Sequence, residues 1–238
     1  GMSILAIQDQ KEKWTKENAM DRTKGNSIPP SYPNEVMVKT FSSSAYSLNF
    51  TPVEKGQKVI DVGCGYGNNL VYFLDRDCKG FGVDVTEDMV GLARDNMERL
   101  AYDDVIIEKG TNTDIPFAKE YFDILISVNT LHYSNGVSGI NKALTEFSRV
   151  VSKGGKIFIM TAGPSHKIVQ NSKRHHVLDW EVLDFGFRTA DKLSFFDNSE
   201  HFKDVLSEHF DNVEVGRLTE EYPSMTLDFL FSICTNKG

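Results

Sequence analysis

The sequence has few of the features that mark secreted, metal-binding or membrane-spanning proteins. Its three cysteines, Cys64, Cys78 and Cys234, lie far apart and form no Cys-x-x-Cys pair, so neither a structural zinc site nor a disulfide framework is predicted. No apolar run approaches the roughly 20 residues of a membrane-spanning helix. The amino-terminal stretch also has no basic start followed by an apolar segment, as a signal peptide would. We therefore expect a reduced, cytoplasmic compartment, no membrane association and no metal.

Positive charge is also scarce. The chain has 26 Lys and Arg residues against 34 Asp and Glu residues, a net charge of −8. A nucleic-acid-binding protein usually presents a basic face, because neutralising phosphates supplies much of its affinity. We therefore expect no nucleic-acid partner.

What the sequence does contain is a globular composition, 40% hydrophobic and 25% charged over 238 residues, enough for one sizeable α/β domain. Short apolar segments alternate with segments whose apolar residues recur at helical spacing. The alternation predicts a Rossmann-like, doubly wound, mostly parallel sheet with helices on both faces. The predicted strands are 59–62, 80–85, 105–108, 122–128 and 155–161, and the predicted helices are 68–75, one capped by Thr86 and running to Leu100, and 140–151, ended by Gly154.

Two further regions flank this core. Residues 1–50 are predicted to form an amino-terminal helical or cap segment, with a helix capped by Asn34 whose apolar positions are Met37, Phe41, Ala45 and Leu48. Residues 51–238 form the main domain. Within it, residues 163–198 are predicted to be irregular and rich in aromatics. An insertion after a central strand is well placed to cover a substrate, although it could instead cap an exposed sheet edge. A helix at 200–210 and strands at 213–218 and 226–235 complete the chain.

The segment VIDVGCGYGNNL, residues 59–70, leaves its strand through glycines at alternate positions, Gly63, Gly65 and Gly67. Glycine lets a ligand approach the backbone closely and tolerates positive φ. Asp84 ends the next strand, where a carboxylate can accept hydrogen bonds from ribose hydroxyls. Asn68 stands where a dinucleotide-binding turn has its last glycine, which disfavours an NAD-dependent oxidoreductase. A tight turn without a ligand and a helix-capping role for Asp84 are the simpler alternatives.

These features together predict an adenosine-type ligand with a free ribose diol and no pyrophosphate. S-adenosylmethionine meets this description. Its carboxylate can bind the backbone donors of the glycine turn. Its cationic groups are compatible with nearby acids such as Asp61.

Four segments carry a family resemblance: VIDVGCGYGNNL, GVDVTEDMVGLAR, IPFAKEYFDILISVNTLHY and EFSRVVSKGGKIFIMT. In this order they resemble the sequence blocks of class I S-adenosylmethionine-dependent methyltransferases, in the subgroup that acts mainly on small molecules. The likeness covers about residues 55–162. It implies a seven-stranded sheet whose last strand is antiparallel. It also implies methyl transfer by in-line displacement to a small-molecule acceptor.

The resemblance also implies a set of cofactor-binding residues. Gly63 and Gly65 would contact the methionine part, Asp84 the ribose, and Val85 with Met89 the adenine pocket. Thr111 and Asn112 match the positions at the adenine edge, although a register shift could bring in Asp114. Asn129 would face the methionine part or the transferred methyl. The full set is Asp61, Gly63, Cys64, Gly65, Asp84, Val85, Met89, Thr111, Asn112, Thr113 and Asn129.

Methyl transfer from a sulfonium needs mainly a well-placed acceptor and exclusion of water. His132, which follows strand four, is the first candidate for a general base. It could equally be a packed histidine. Tyr133 is a weaker candidate. Trp14 and Tyr32 would fold over the cofactor or anchor their segment. A non-catalytic S-adenosylmethionine-binding or partner-binding protein is the main alternative function.

Overall fold

The computed structural model describes Trp14 and residues 32–238. Most of the predicted amino-terminal cap segment, including any contact of residues 15–31 with the core, therefore lies outside the described residues.

The domain is built around a seven-stranded sheet with the strand order β3-β2-β1-β4-β5-β10-β9. Strands β1 to β5 are parallel, and β10 runs antiparallel to both β5 and β9. This confirms the predicted mostly parallel sheet with an antiparallel last strand. The strands are β1 Lys58–Val62, β2 Lys79–Asp84, β3 Val105–Lys109, β4 Phe122–Val128, β5 Val151–Ala162, β9 Phe210–Tyr222 and β10 Met225–Asn236.

Helices cover both faces of the sheet because its central strands are apolar on both sides. Ile60 and Val62 of β1 pack in one core with residues of α4 and α6, whereas Val59 packs in a second core with residues of α1, α2 and α3. The Thr86 hydroxyl accepts a hydrogen bond from the Met89 N–H, as predicted for the cap of α3. The helices are α1 Glu35–Ser42, α2 Asn68–Leu74, α3 Glu87–Arg99, α4 Gly136–Val150, α5 Lys167–Gln170 and α6 Ser199–Ser207.

Two predicted helix boundaries are wrong. The helix capped by Asn34 ends at Ser42, and Leu48 is 94% exposed instead of lying on its apolar face. The cause is Ser43, which is extended and accepts a hydrogen bond from Ala45 N–H, so its side chain begins a new turn. Gly154 does not end α4. The chain enters β5 directly at Val151, and Gly154 lies within that strand at φ +81°.

The insertion 163–198 is more regular than predicted. It contains α5 and a small antiparallel sheet of β6 Ser172–His176, β7 Asp179–Val182 and β8 Lys192–Leu193. The sequence pattern concealed this sheet because β6 consists of polar residues, four of them exposed, and has no apolar alternation.

In the part of the chain that the structure describes, no helix is long and apolar enough to cross a bilayer.

Candidate active site

The three glycines of the turn after β1 all have positive φ, +79° at Gly63, +54° at Gly65 and +83° at Gly67. A β-carbon on Gly63 would lie 2.2 Å from Thr130 Cγ2, so this glycine lets the turn pack against the chain that follows β4. A β-carbon on Gly65 would meet no atom within 4 Å. The first glycine is thus needed for packing, whereas the second exposes backbone to open space.

Asp84 links the end of β2 to this turn. It is buried, and its Oδ2 accepts a hydrogen bond of 2.8 Å from Gly65 N–H. Its Oδ1 accepts one of 2.8 Å from Val85 N–H. The carboxylate therefore accepts two backbone donors of the turn regions, and it fixes Gly65 in place.

A cavity of about 1370 Å³ opens above the carboxyl ends of the parallel strands. Ten of the twelve predicted site residues line it. They come from the end of β2, from α3 and from the segments that directly follow β1, β2, β3 and β4. They are Gly63, Cys64, Gly65, Asp84, Val85, Met89, Thr111, Asn112, Asn129 and His132. Asp61 and Thr113 do not line it.

The segment predicted to meet the adenine edge forms a tight turn in which Thr111 and Asp114 pair through their backbones. This turn directs Thr111 and Asn112 to the cavity, whereas Thr113 borders a separate small depression beside Glu146. The Asn112 amide donates to Thr130 O and Ser134 Oγ, each at 3.0 Å. Asp114 does not line the cavity, so no register shift brings it there.

Two side chains beside the cavity, Asp61 and Asn129, have buried acceptor oxygens without a hydrogen-bond partner among the described residues. Both carboxylate oxygens of Asp61 lack one, and so does Asn129 Oδ1. Burial, reinforced by the neighbouring Asp84 carboxylate, raises the pKa of Asp61 to about 8. Asp61 adjoins Val62 and Gly63, which do line the cavity. Unsatisfied acceptors at this place suit a ligand that brings a cationic hydrogen-bond donor, such as the ammonium of an amino acid.

His132 lies in a 3₁₀ turn, Leu131–Tyr133, directly after β4. Its ring is buried, and its Nδ1 is 3.2 Å from Thr161 Oγ1 on β5. Its Nε2 has no partner among the described residues. Burial, with smaller contributions from Arg188 and His166, holds the pKa of His132 well below its usual value. His132 is therefore a neutral imidazole at the cavity wall, held by a side-chain hydroxyl and not by backbone.

The cavity is partly roofed by aromatic residues. The Trp14 carbonyl accepts a hydrogen bond from the Thr86 hydroxyl, and the Trp14 ring meets Tyr133 and Phe187 edge-to-face at 5.7 and 5.8 Å. Tyr32 also lines the cavity but is 74% exposed. Trp14 thus joins the cap of α3 to the insertion.

Among the wall residues that sequence reasoning missed are Arg188 and His166. Both lie in the insertion that follows β5. The position of the insertion indicated that it could reach the cavity, but no pattern within it singled out these side chains.

Comparison with known proteins gives the family. A methyltransferase-domain family model matches residues 60–159. The chain is 30% identical over 194 residues to demethylmenaquinone methyltransferase of Symbiobacterium thermophilum, covering 74% of each protein. It is 28% identical over 103 residues to the uncharacterized methyltransferase YcgJ of Bacillus subtilis, covering 43% of this chain and 40% of YcgJ. The chain spans less than two thirds of the length of several curated relatives that it matches.

The fold also resembles that of a solved methyltransferase. The structure of phosphoethanolamine N-methyltransferase 2 of Haemonchus contortus, solved with S-adenosyl-L-methionine, superimposes with a TM-score of 0.69 at 14% identity, covering 100% of this chain and 61% of that one. At this identity the likeness concerns the fold alone. Together with the relative that the chain matches over 74% of its length, these findings show that the chain belongs to the class I S-adenosylmethionine-dependent methyltransferases.

Proposed function

We propose that this protein transfers the methyl group of S-adenosylmethionine to a small-molecule acceptor. The observation that carries the proposal is the cavity itself. The open backbone at Gly65, anchored by Asp84, and the neutral ring of His132 both line it. One continuous space thus adjoins both a nucleoside-type binding turn and a candidate base.

The residues of this chain fit the cofactor in the following way. Asp84 accepts from the ribose hydroxyls, Val85 and Met89 line the adenine pocket, and Thr111 with Asn112 meet the adenine edge. Gly63 and Gly65 contact the methionine part. The unsatisfied acceptors of Asp61 and Asn129 support a place for its ammonium. When bound, the cofactor supplies an electrophilic methyl group on a sulfonium.

The chemistry left to the protein is positioning and proton removal. The insertion 163–198 covers the acceptor and excludes water, which strengthens polar contacts in the site. His132 Nε2 is aligned by the contact of Nδ1 with Thr161 and takes the proton that the acceptor releases. Because its pKa is lowered, His132 is already in the basic form at neutral pH.

A small acceptor is favoured over a nucleic acid. One relative of the chain is named tRNA (carboxymethyluridine(34)-5-O)-methyltransferase of Arabidopsis thaliana, so RNA is the second candidate. The net charge of −8 opposes binding of a polyanion, and the roof over the cavity limits access to a bulky substrate. The three buried free cysteines support a reducing, cytoplasmic setting.

The ribose assignment is tested by calorimetric titration of S-adenosylhomocysteine into Asp84→Ala. We expect a loss of affinity of at least about tenfold, or 1.4 kcal/mol. Asp95→Ala removes an exposed carboxylate from α3 and serves as the matched control. Affinity of Asp84→Ala within about threefold of wild type would contradict the assignment.

Because Asp84 also anchors Gly65, a second comparison separates the two roles. Wild type should prefer adenosine to 2′-deoxyadenosine, and Asp84→Ala should not discriminate between them. Turnover is tested separately, as release of S-adenosylhomocysteine across an acceptor panel. Cofactor binding without turnover on any acceptor would favour the non-catalytic alternative.

A further inference from the structure

A single arginine of the cavity wall is placed among aromatic rings, on the insertion that follows β5. Arg188 ends a short 3₁₀ turn of the insertion and lines the cavity. The central carbon of its guanidinium lies 4.8 Å from the Tyr133 ring centroid, 5.2 Å from that of Trp14 and 5.3 Å from that of Phe187. These contacts position the guanidinium while leaving its N–H groups available as donors.

Among the described residues, no carboxylate pairs with Arg188. Four acids line the same cavity. Asp84 accepts hydrogen bonds from backbone N–H groups, and Glu35 pairs with Lys39. Glu220 accepts a hydrogen bond of 2.6 Å from Tyr222, and Asp184 is exposed. By contrast, Arg174 and Arg217 are both paired with aspartates. Arg188 therefore carries a positive charge into the cavity, and none of the cavity's four acids forms an ion pair with it.

The location of Arg188 assigns it to the acceptor and not to the cofactor. Its guanidinium lies 4.8 Å from the Tyr133 ring, which is 4.7 Å from the ring of His132 after β4. His166, which follows β5, lines the same cavity. The ribose and methionine contacts proposed above lie instead over β1 and β2. Burial and the Arg188 charge both lower the pKa of His166, which falls to about 4, so this ring is neutral like His132.

The side of the cavity formed by the insertion and His132 thus contains two cationic side chains, Arg188 and Lys167, and two neutral imidazoles. Of the two cations, Arg188 is the one held among aromatic rings. A neutral acceptor that closed this space would leave the guanidinium partly desolvated and unpaired, which is costly. An anion would supply the missing partner through charge-assisted hydrogen bonds. The aromatic rings around Arg188 would pack against an apolar portion of the same molecule.

We infer that the methyl acceptor carries a carboxylate or phosphate group, which pairs with Arg188 while the reacting atom lies beside His132. This inference rests on the proposed function. Arg188 selects the acceptor and takes no part in the bond exchange.

The test uses pairs of aromatic probes that differ in charge. Benzoate is compared with benzamide, and phenyl phosphate with benzyl alcohol, by calorimetry on the full chain saturated with S-adenosylhomocysteine. We expect at least one anion to bind about tenfold more tightly than its neutral partner. This difference in affinity is close to the smallest contribution expected of a hydrogen bond to a charged group. The stronger of the two anions identifies the acceptor group as a carboxylate or a phosphate.

Variants then locate the effect. Arg188→Gln should abolish the preference for the anion, and Arg188→Lys should keep part of it. Arg174→Gln makes the same charge change on β6, outside the cavity, and should keep all of it. If Arg188→Gln does not fold, the probe pairs on wild type and on Arg188→Lys still decide the question.

The inference is overturned if neither anion is preferred at millimolar concentration, or if the preference survives in Arg188→Gln. It is also overturned if Arg188→Gln loses affinity for S-adenosylhomocysteine, because that result would assign the arginine to the cofactor carboxylate. Binding of S-adenosylhomocysteine to wild type is measured first. Its absence would count against the proposed function and not specifically against the role of Arg188.

Discussion

Substitution of Gly65 by alanine separates the cost of backbone strain from the cost of blocking the ligand. Gly65 has φ +54°, and an added β-carbon would meet no atom within 4 Å. The change should therefore cost only the left-handed backbone penalty of an alanine, about 1 to 2 kcal/mol of unfolding free energy. Because a domain of this size is usually stable by more than that, the variant should fold.

Binding should suffer more than stability. The new methyl group would occupy the space into which Gly65 presents its backbone, at the floor of the cavity. We expect S-adenosylhomocysteine to bind at least about tenfold more weakly, a loss of about 1.4 kcal/mol or more. Urea unfolding and isothermal titration calorimetry measure the two quantities on the same preparation.

Gly56→Ala is the matched control. Gly56 also has positive φ, +84°, has no atom within 4 Å of an added β-carbon, and does not line the cavity. It should lose a comparable amount of stability and keep wild-type affinity. The reasoning is refuted if Gly65→Ala binds within about threefold of wild type, or if Gly56→Ala loses as much affinity as Gly65→Ala.

Three further predictions concern other parts of the site. Gly63→Ala should unfold at much lower urea concentration than Gly65→Ala, because its β-carbon would clash with Thr130 at 2.2 Å; equal stability of the two variants would contradict this. Folding raises the pKa of Asp61 to about 8 from 3.8, so the folded protein holds a proton that the unfolded chain releases. The free energy of unfolding should therefore decrease as the pH rises from about 4 to about 8, and Asp61 should contribute up to about 1.4 kcal/mol of this decrease per pH unit. Asp61→Asn should remove that contribution, so its urea midpoint, measured without cofactor, should depend less steeply on pH than that of wild type. An equally steep pH dependence would contradict the prediction. His132→Phe should lower kcat by about 10²-fold or more while leaving S-adenosylhomocysteine affinity intact; unchanged kcat would exclude a role as base.

The sheet was predictable because its signals are local. Strands such as Phe122–Val128 are short and apolar, and the capping residue Thr86 indicates the start of the helix that follows. Helix ends were less predictable because they depend on competition between nearby groups. Ser43 begins a new turn where the apolar spacing would have continued the helix. At the end of α4, Val151 already pairs with Phe122 of β4, so the chain is in a strand before it reaches Gly154.

That Gly63, Gly65 and Asp84 line one cavity was predictable for the same reason, since each lies at the carboxyl end of a strand or directly after it. The wall that the insertion contributes was not predictable. The place of Arg188 depends on the tertiary packing of the insertion against Tyr133 and Trp14, residues distant from it in sequence. Thr113, although predicted to bind the cofactor, lies outside this cavity because the backbone pairing of Thr111 with Asp114 turns it toward a separate depression.

The most direct test of the account is calorimetric titration of the full chain with S-adenosylhomocysteine, followed by structure determination of the complex. We predict one molecule bound per chain, with its ribose hydroxyls on Asp84 and its amino-acid portion over Gly65. No binding at millimolar concentration, or a bound molecule whose ribose lies away from Asp84, would contradict it.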